Sequence, residues 1–262
     1  MEDEVKRFGK LSIDQIRQLI QFVPFLEQAR PELAALMAAK PEKAAQFFKP
    51  GVAWGNAYDY PIEEQLALFL AVAGLTDFVV QAAKAPDPMA ELAKLDDHPE
   101  YQEWAGGAGK QFEIHDLLGA LYGLFGTFEC LMLYGYYLNE LLAIANSQGN
   151  DEALFNAIRV DPVAITSETA AHRISRAVVQ ADAKFFSGLQ NALLGKTGKQ
   201  ARYLQKFKVL MQILLESGLL DRPNAEIRSL AFELDVYADN PGAEKNLNEL
   251  IRKFRHKKTI PK

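Results

Sequence analysis

Glu129 is the residue whose type and surroundings stand out most for chemistry. It interrupts the apolar run Phe128-Glu129-Cys130-Leu131-Met132. A carboxylate held among apolar side chains resists ionisation, and such a group can move protons at neutral pH. The structural alternative is a buried polar group satisfied by a cation on another helix, with Arg173 or Arg176 as the candidates. Metal chemistry has less to work with. The four histidines are His98, His115, His172 and His256. Glu168 and His172 stand four apart, which on a helix gives one face and half a metal site. There is no His-Glu-x-x-His and no Glu-x-x-His pair, so a zinc protease and a di-iron bundle are both disfavoured. No metal and no cofactor is expected.

Other sites fail on a missing part. Gly106-Gly107-Ala108-Gly109-Lys110-Gln111 resembles a phosphate loop only superficially. Trp104 stands where the first glycine is required, Gln111 where the hydroxyl is required, and no apolar strand precedes it. The stretch reads as a hinge. Gly-x-Ser-x-Gly is absent, so a serine nucleophile on a strained elbow is not encoded. Cys130 is the only cysteine. With no adjacent His or helix N-terminus to favour its thiolate, it reads as a small core residue.

The elements that must position these groups are helices. Ser12-Ile13-Asp14-Gln15 is a capping box. The helix it opens presents Ile13, Ile16, Leu19 and Ile20 on one face and is predicted to stop before Pro24. Pro31, Pro41 and Pro61 each precede good helix formers and predict helices at 31–39, 42–48 and 61–83. Asn150, Ser167 and Asp182 have the short polar side chains that start helices. Gly195 and Gly218 sit where helices end. An apolar stretch predicts a long buried central helix over about 112–146. No segment alternates with period two, and no Asn-Gly or Asp-Gly turn occurs. The expected fold is all-α: a multi-helix globular bundle with that central helix and a C-terminal three-helix unit.

Leu117–Leu138 is long enough for a membrane span. Glu129 near its middle, acidic flanks without Lys or Arg, and tyrosines spread along its length argue instead for a core helix. Gly119, Gly123 and Gly126 would let a neighbouring helix approach it closely. No membrane span is expected. The N-terminus Met1-Glu2-Asp3-Glu4 lacks a secretory pattern, and one cysteine suits a reducing compartment, so the cytoplasm is the expected location.

Charge is unevenly spread. The chain carries −5 overall. Residues 196–262 hold 14 Lys/Arg against 8 Asp/Glu, and residues 1–195 hold 15 against 26. The expected division is an acidic helical body over 1–195 and a basic helical segment over 196–262. The last predicted helix, 243–258, has an apolar stripe of Leu247, Leu250, Ile251 and Phe254. Its other faces carry Lys245, Arg252, Lys253, Arg255, His256, Lys257 and Lys258. Those side chains would suit phosphates if this helix were the second of a helix-turn-helix.

Three functions follow. The first is a non-enzymatic regulatory protein contacting nucleic acid through Lys245, Arg252, Lys253, Arg255, Lys257 and Lys258. The second is a protein-interaction module, of the inhibitor or immunity type, that presents its acidic body to a basic partner. The third is an enzyme with a site in a helical cavity near Glu129.

Overall fold

The computed structural model describes residues 6–38, 54–72, 75–87, 90–91, 94, 114–195, 204–238 and 241–259, without the side chains of 36–38, 54, 56, 68, 71–72, 114–118 and 257–259. The predicted helix at 42–48, the glycine-rich 104–109 stretch, His98 and the phosphate-loop lookalike lie outside the described residues, as do the side chains of His115, Lys257 and Lys258.

Among the described residues the chain is all-α apart from one small hairpin. Strands β1 (Arg7–Phe8) and β2 (Leu11–Ser12) pair antiparallel around Gly9, whose φ of +60° suits glycine. Two residues per strand are too few to leave a period in the sequence. The helices are α1 (Ile13–Ala38), α2 (Ile62–Val72), α3 (Thr76–Lys84), α4 (Ile114–Tyr134), α5 (Leu138–Gln148), α6 (Asp151–Val160), α7 (Glu168–Val179), α8 (Ala183–Leu193), α9 (Gln205–Glu216), α10 (Asn224–Glu233) and α11 (Ala243–Thr259). Two 3₁₀ helices, Trp54–Asp59 and Pro162–Thr166, complete the set.

The caps carry the local logic. Asn150, Ser167 and Asp182 accept from the backbone N–H groups of Ala153, Ala170 and Phe185 at 3.2, 3.2 and 3.0 Å. The Ser12 N–H donates to Gln15 Oε1 at 3.2 Å, half of the expected box. Gly195 and Gly218 close their helices with φ of +65° and +67°.

Three boundaries differ from the sequence reading. The helix predicted at 61–83 is two, α2 and α3, the second starting after Leu75, with residues 73–74 outside the described set. α1 does not stop at Pro24; it runs through Pro24 and Pro31 to Ala38. Each proline removes one helical N–H. Both point to solvent, while Val23, Leu26 and Arg30 on the opposite side are buried. Burial of that side offsets the lost bonds. The central apolar run is two helices. It breaks at Gly135, which takes a φ of +79°. α5 then starts with the Tyr137 N–H bonded to Glu140 Oε2 at 3.0 Å.

Two main clusters make the core. One joins Leu138, Leu142, Leu154, Ile158 and Phe185 with Cys130 and Tyr58. The other joins Leu210, Leu214, Ile227, Leu247 and Ile251 with Ile13, Ile16 and Ile20. The two chain ends therefore share a core. Val23, Leu26 and Met132 form a smaller cluster, with Val209 packed against it, where α1, α4 and α9 meet. Among the described residues no helix is long and apolar enough to cross a membrane.

Gly188 on α8 lies against the Phe155 ring. A Cβ there would stand 2.3 Å from one ring carbon. Gly188→Ala is expected to destabilise the protein by roughly 1–3 kcal/mol in urea unfolding, because the ring has to leave its packed position. An unchanged midpoint would show that this contact is not tight.

Candidate functional site

Glu129 is tied to α1, not to Arg173 or Arg176. Arg30 Nη1 donates to Glu129 Oε2 in a short ion pair. Arg173 serves elsewhere: it bridges Asp151 and Asp182 at 2.6 and 2.8 Å and lies over the Phe185 ring. Arg176 is exposed. A helix ending at Pro24 would not carry Arg30 on the same face as Ile16, Ile20 and Val23; the continuous α1 does.

Arg30 is 8 % exposed and anchors more than Glu129. Its Nη2 donates to the Val160 carbonyl at 2.6 Å. Val160 is the last residue of α6, whose final carbonyls lack helical donors, so the guanidinium acts as a cap supplied from 130 residues away. The same Nη2 lies 3.7 Å from Asp161 Oδ2. Asp161 is fully buried. It accepts from the Val163 N–H at 2.9 Å and from the Tyr58 hydroxyl. Gly126 on α4 makes room: a Cβ there would come within 3.0 Å of Arg30 Nη2 and 3.1 Å of Asp161 Oδ2. The close approach expected at this glycine is thus made by a guanidinium. Tyr122 covers the guanidinium, with its ring centroid 4.3 Å from Cζ.

The protonation states follow. Burial works against the charge on Arg30, but Asp161 and Glu129 outweigh it and hold the guanidinium protonated. Burial pushes the Tyr58 hydroxyl far above its usual range, reinforced by Asp161. Burial also lifts Asp161 above the usual carboxylate range, against the pull of Arg30 and the Tyr58 hydrogen bond.

Arg30, Tyr122 and Glu129 of this network line a cleft of about 430 Å³ between α1 and α4. Glu27, Tyr122, Glu129 and Gln205 supply polar groups; Leu26 and Met132 supply apolar surface. No histidine, cysteine or serine lines it among the described residues.

Leu26 and Met132 also line a second, apolar groove of about 160 Å³. It continues along α1 through Phe22 and Leu19 and along α9 through Val209 and Ile213. Ala34 and Gln205 line the cleft, Leu19 and Glu216 line the groove, and Leu26 and Met132 line both, so the two adjoin as a trough along α1 from Leu19 to Ala34. At the helical rise that is about 22 Å. Leu19, Phe22 and Phe25 are 54 %, 37 % and 51 % exposed. Phe22 and Phe25 stack at 5.3 Å and meet Phe125 edge-on.

The basic helix α11 is arranged differently. Lys245, Arg252 and His256 are exposed, and Lys253 pairs with Glu249 at 2.6 Å. Arg255 folds back, donating to the carbonyls of Leu220 and Arg222 and to Asn224 Oδ1. It ties α11 to the turn before α10. Asn248 accepts from Arg228. His172 and Glu168 are both exposed, 3.9 Å apart. Among the described residues no group of three potential ligands could hold a metal.

Arg30 and Asp161 carried a faint signal. Positions 16, 20, 23 and 30 share one face of a continuous α1, so Arg30 is a cation on an apolar stripe. Asp161-Pro162 reads as a cap before a helical turn.

Arg30→Met is expected to cost about 3–5 kcal/mol in chemical unfolding, since it strands the buried Asp161 carboxylate and uncaps α6. Tyr58→Phe removes a donor from the same carboxylate and is expected to cost about 1–3 kcal/mol. Wild-type stability in Arg30→Met would contradict a structural role for the network. Comparison with protein-family models, curated proteins and solved structures finds no match to this chain.

Proposed function

We propose that the protein is a non-enzymatic protein-interaction module whose α1–α9 trough receives an amphipathic, basic helix of a partner. The observation that carries this reading is the exposed apolar stripe Leu19–Phe22–Phe25 beside a groove flanked by carboxylates. Isolated exposed apolar residues need no explanation, but a contiguous row bordering a groove marks a contact surface. Helix-in-groove recognition uses apolar anchors three and four residues apart. A trough of about 22 Å suits a helix of roughly 15 residues.

Charge sets the sign of the partner. Glu216 lines the groove, and Glu27 and Glu129 line the cleft. Among the described residues that line groove and cleft the cation is Arg30, already matched by Glu129 and Asp161, while Lys208, beside the cleft, is held by the carbonyls of Met132 and Leu133. An acidic border favours a basic partner and steers its approach. This agrees with the −11 balance of residues 1–195. The enzymatic reading has less support: Glu129 is held by Arg30, and among the described residues no histidine, cysteine or serine lines the cleft beside it.

A nucleic-acid contact through α11 remains a second reading, favoured by exposed Lys245 and Arg252, which seven-residue spacing puts on one face. Lys253, Lys257 and Lys258 would extend it; Arg255 would have to leave its carbonyl partners to join.

The test is fluorescence anisotropy with full-length protein and a 15-residue helical peptide bearing a Leu/Phe stripe and Lys/Arg flanks. Binding of about micromolar strength is expected, weakened at least tenfold by Leu19→Ala with Phe22→Ala, and absent for a scrambled peptide. No binding, or binding indifferent to Leu19 and Phe22, would overturn the reading. Salt-sensitive binding of a DNA duplex, lost in Lys245→Gln/Arg252→Gln while the peptide fails to bind, would transfer the function to α11.

A further inference from the structure

The two halves of the trough differ in size as well as in chemistry. The groove half holds about 160 Å³ and is apolar on its α1 side, with Leu19, Phe22, Val23 and Leu26. The cleft half holds about 430 Å³, enough to enclose a ligand group. Leu26, Ala34 and Met132 give the cleft apolar sides, and Glu27 and Glu129 give it carboxylates. Both side chains are open to solvent. Glu27 is exposed and has no hydrogen-bond or ion-pair partner among the described residues. Glu129 gives Oε2 to Arg30 and keeps 32 % of its side chain exposed. Arg30 is outnumbered there by Glu27, Glu129 and the buried Asp161, so the cleft is short of one positive charge. Along α1 the groove spans Leu19 to Leu26 and the cleft Leu26 to Ala34. Their centres therefore stand about 11 Å apart, two turns of helix.

We infer that the cleft takes one Lys or Arg side chain of the docked helix, its head facing the Glu27 and Glu129 carboxylates, about seven residues along that helix from the apolar anchor seated in the groove. The inference rests on the groove reading and adds its register. A helix lying along α1 covers the distance between the two centres in about seven residues. The same step keeps anchor and cation on one face. A long cationic side chain matches the mixed lining: its methylenes lie along Leu26, Ala34 and Met132, and its head meets the carboxylates. Hydrogen bonds between charged groups are the strong ones. Selectivity follows because a neutral residue at that point covers the carboxylates without a counter-charge, and a Glu there repels them.

The experiment uses helical peptides of about 18 residues with a fixed Leu/Phe anchor and a single Lys. The Lys stands seven or fourteen residues from the anchor, before or after it, and each peptide has a counterpart with Gln in its place. One such step moves the Lys about 11 Å, beyond the reach of its own side chain. Each peptide is titrated into full-length wild type and Glu27→Gln. Glu27 has no partner to lose, so thermal melts of the two proteins are expected to coincide. The peptide with Lys at seven, on one side of the anchor, is expected to bind wild type about tenfold tighter than its Gln counterpart, and every other Lys peptide within about twofold. In Glu27→Gln the tenfold preference is expected to fall to about threefold or less, with the Gln peptide unchanged. A preference at fourteen, a preference at no position, or one that survives Glu27→Gln overturns the cleft assignment while leaving the groove reading intact. Failure of every peptide to bind, the Gln counterparts included, removes the groove reading itself.

Discussion

One guanidinium holds this structure together. Arg30 is delivered by α1 into the seam where α6 ends and the Pro162–Thr166 turn begins. There it meets the last carbonyl of α6, the buried carboxylate of Asp161 and the half-buried carboxylate of Glu129. Burying three charges together is costly, and a well-packed apolar replacement of the whole set can be as stable. What the set supplies is a fixed place for α1. Apolar packing alone would tolerate sliding of a helix along α4. Ion pairs to two carboxylates, a carbonyl cap and the Tyr122 ring over the guanidinium do not. The register of α1 against α4 and α9 then follows, and with it the trough.

The trough has two halves because α1 carries two kinds of surface. Its first half contributes Ile13, Ile16 and Ile20 to the core shared with α9–α11, leaving Leu19 and Phe22 at the margin. Its second half turns Arg30 inward and Glu27 outward. Pro24 and Pro31 lie on the solvent side of the same helix. A docked helix would meet an apolar floor along one half and carboxylates along the other. The sidedness of the surface is thereby written into the sequence of α1.

The helices were largely legible from the sequence because their punctuation is local. Asn150, Ser167, Asp182, Gly195 and Gly218 each act through a backbone group one to three residues away, and each was readable. The apolar stripe of α11 was equally plain, since Leu247, Ile251 and Phe254 pack as their spacing requires. Two things were not legible. Proline is a poor guide where tertiary burial on the far side of the helix outweighs one missing hydrogen bond, so α1 was cut at Pro24. That cut removed Arg30 from the stripe to which it belongs, and Glu129 was then given the wrong partner. The contact between them spans 99 residues, and nothing local encodes it.

The central claim is that the α1–α9 trough is the surface this protein uses. Hydrogen exchange of the full-length protein with and without the basic amphipathic peptide tests it most directly. The account predicts slowed exchange confined to the stretches 19–34 and 205–216, with α10 and α11 unchanged. Protection centred on 243–259, or none in 19–34, would contradict it.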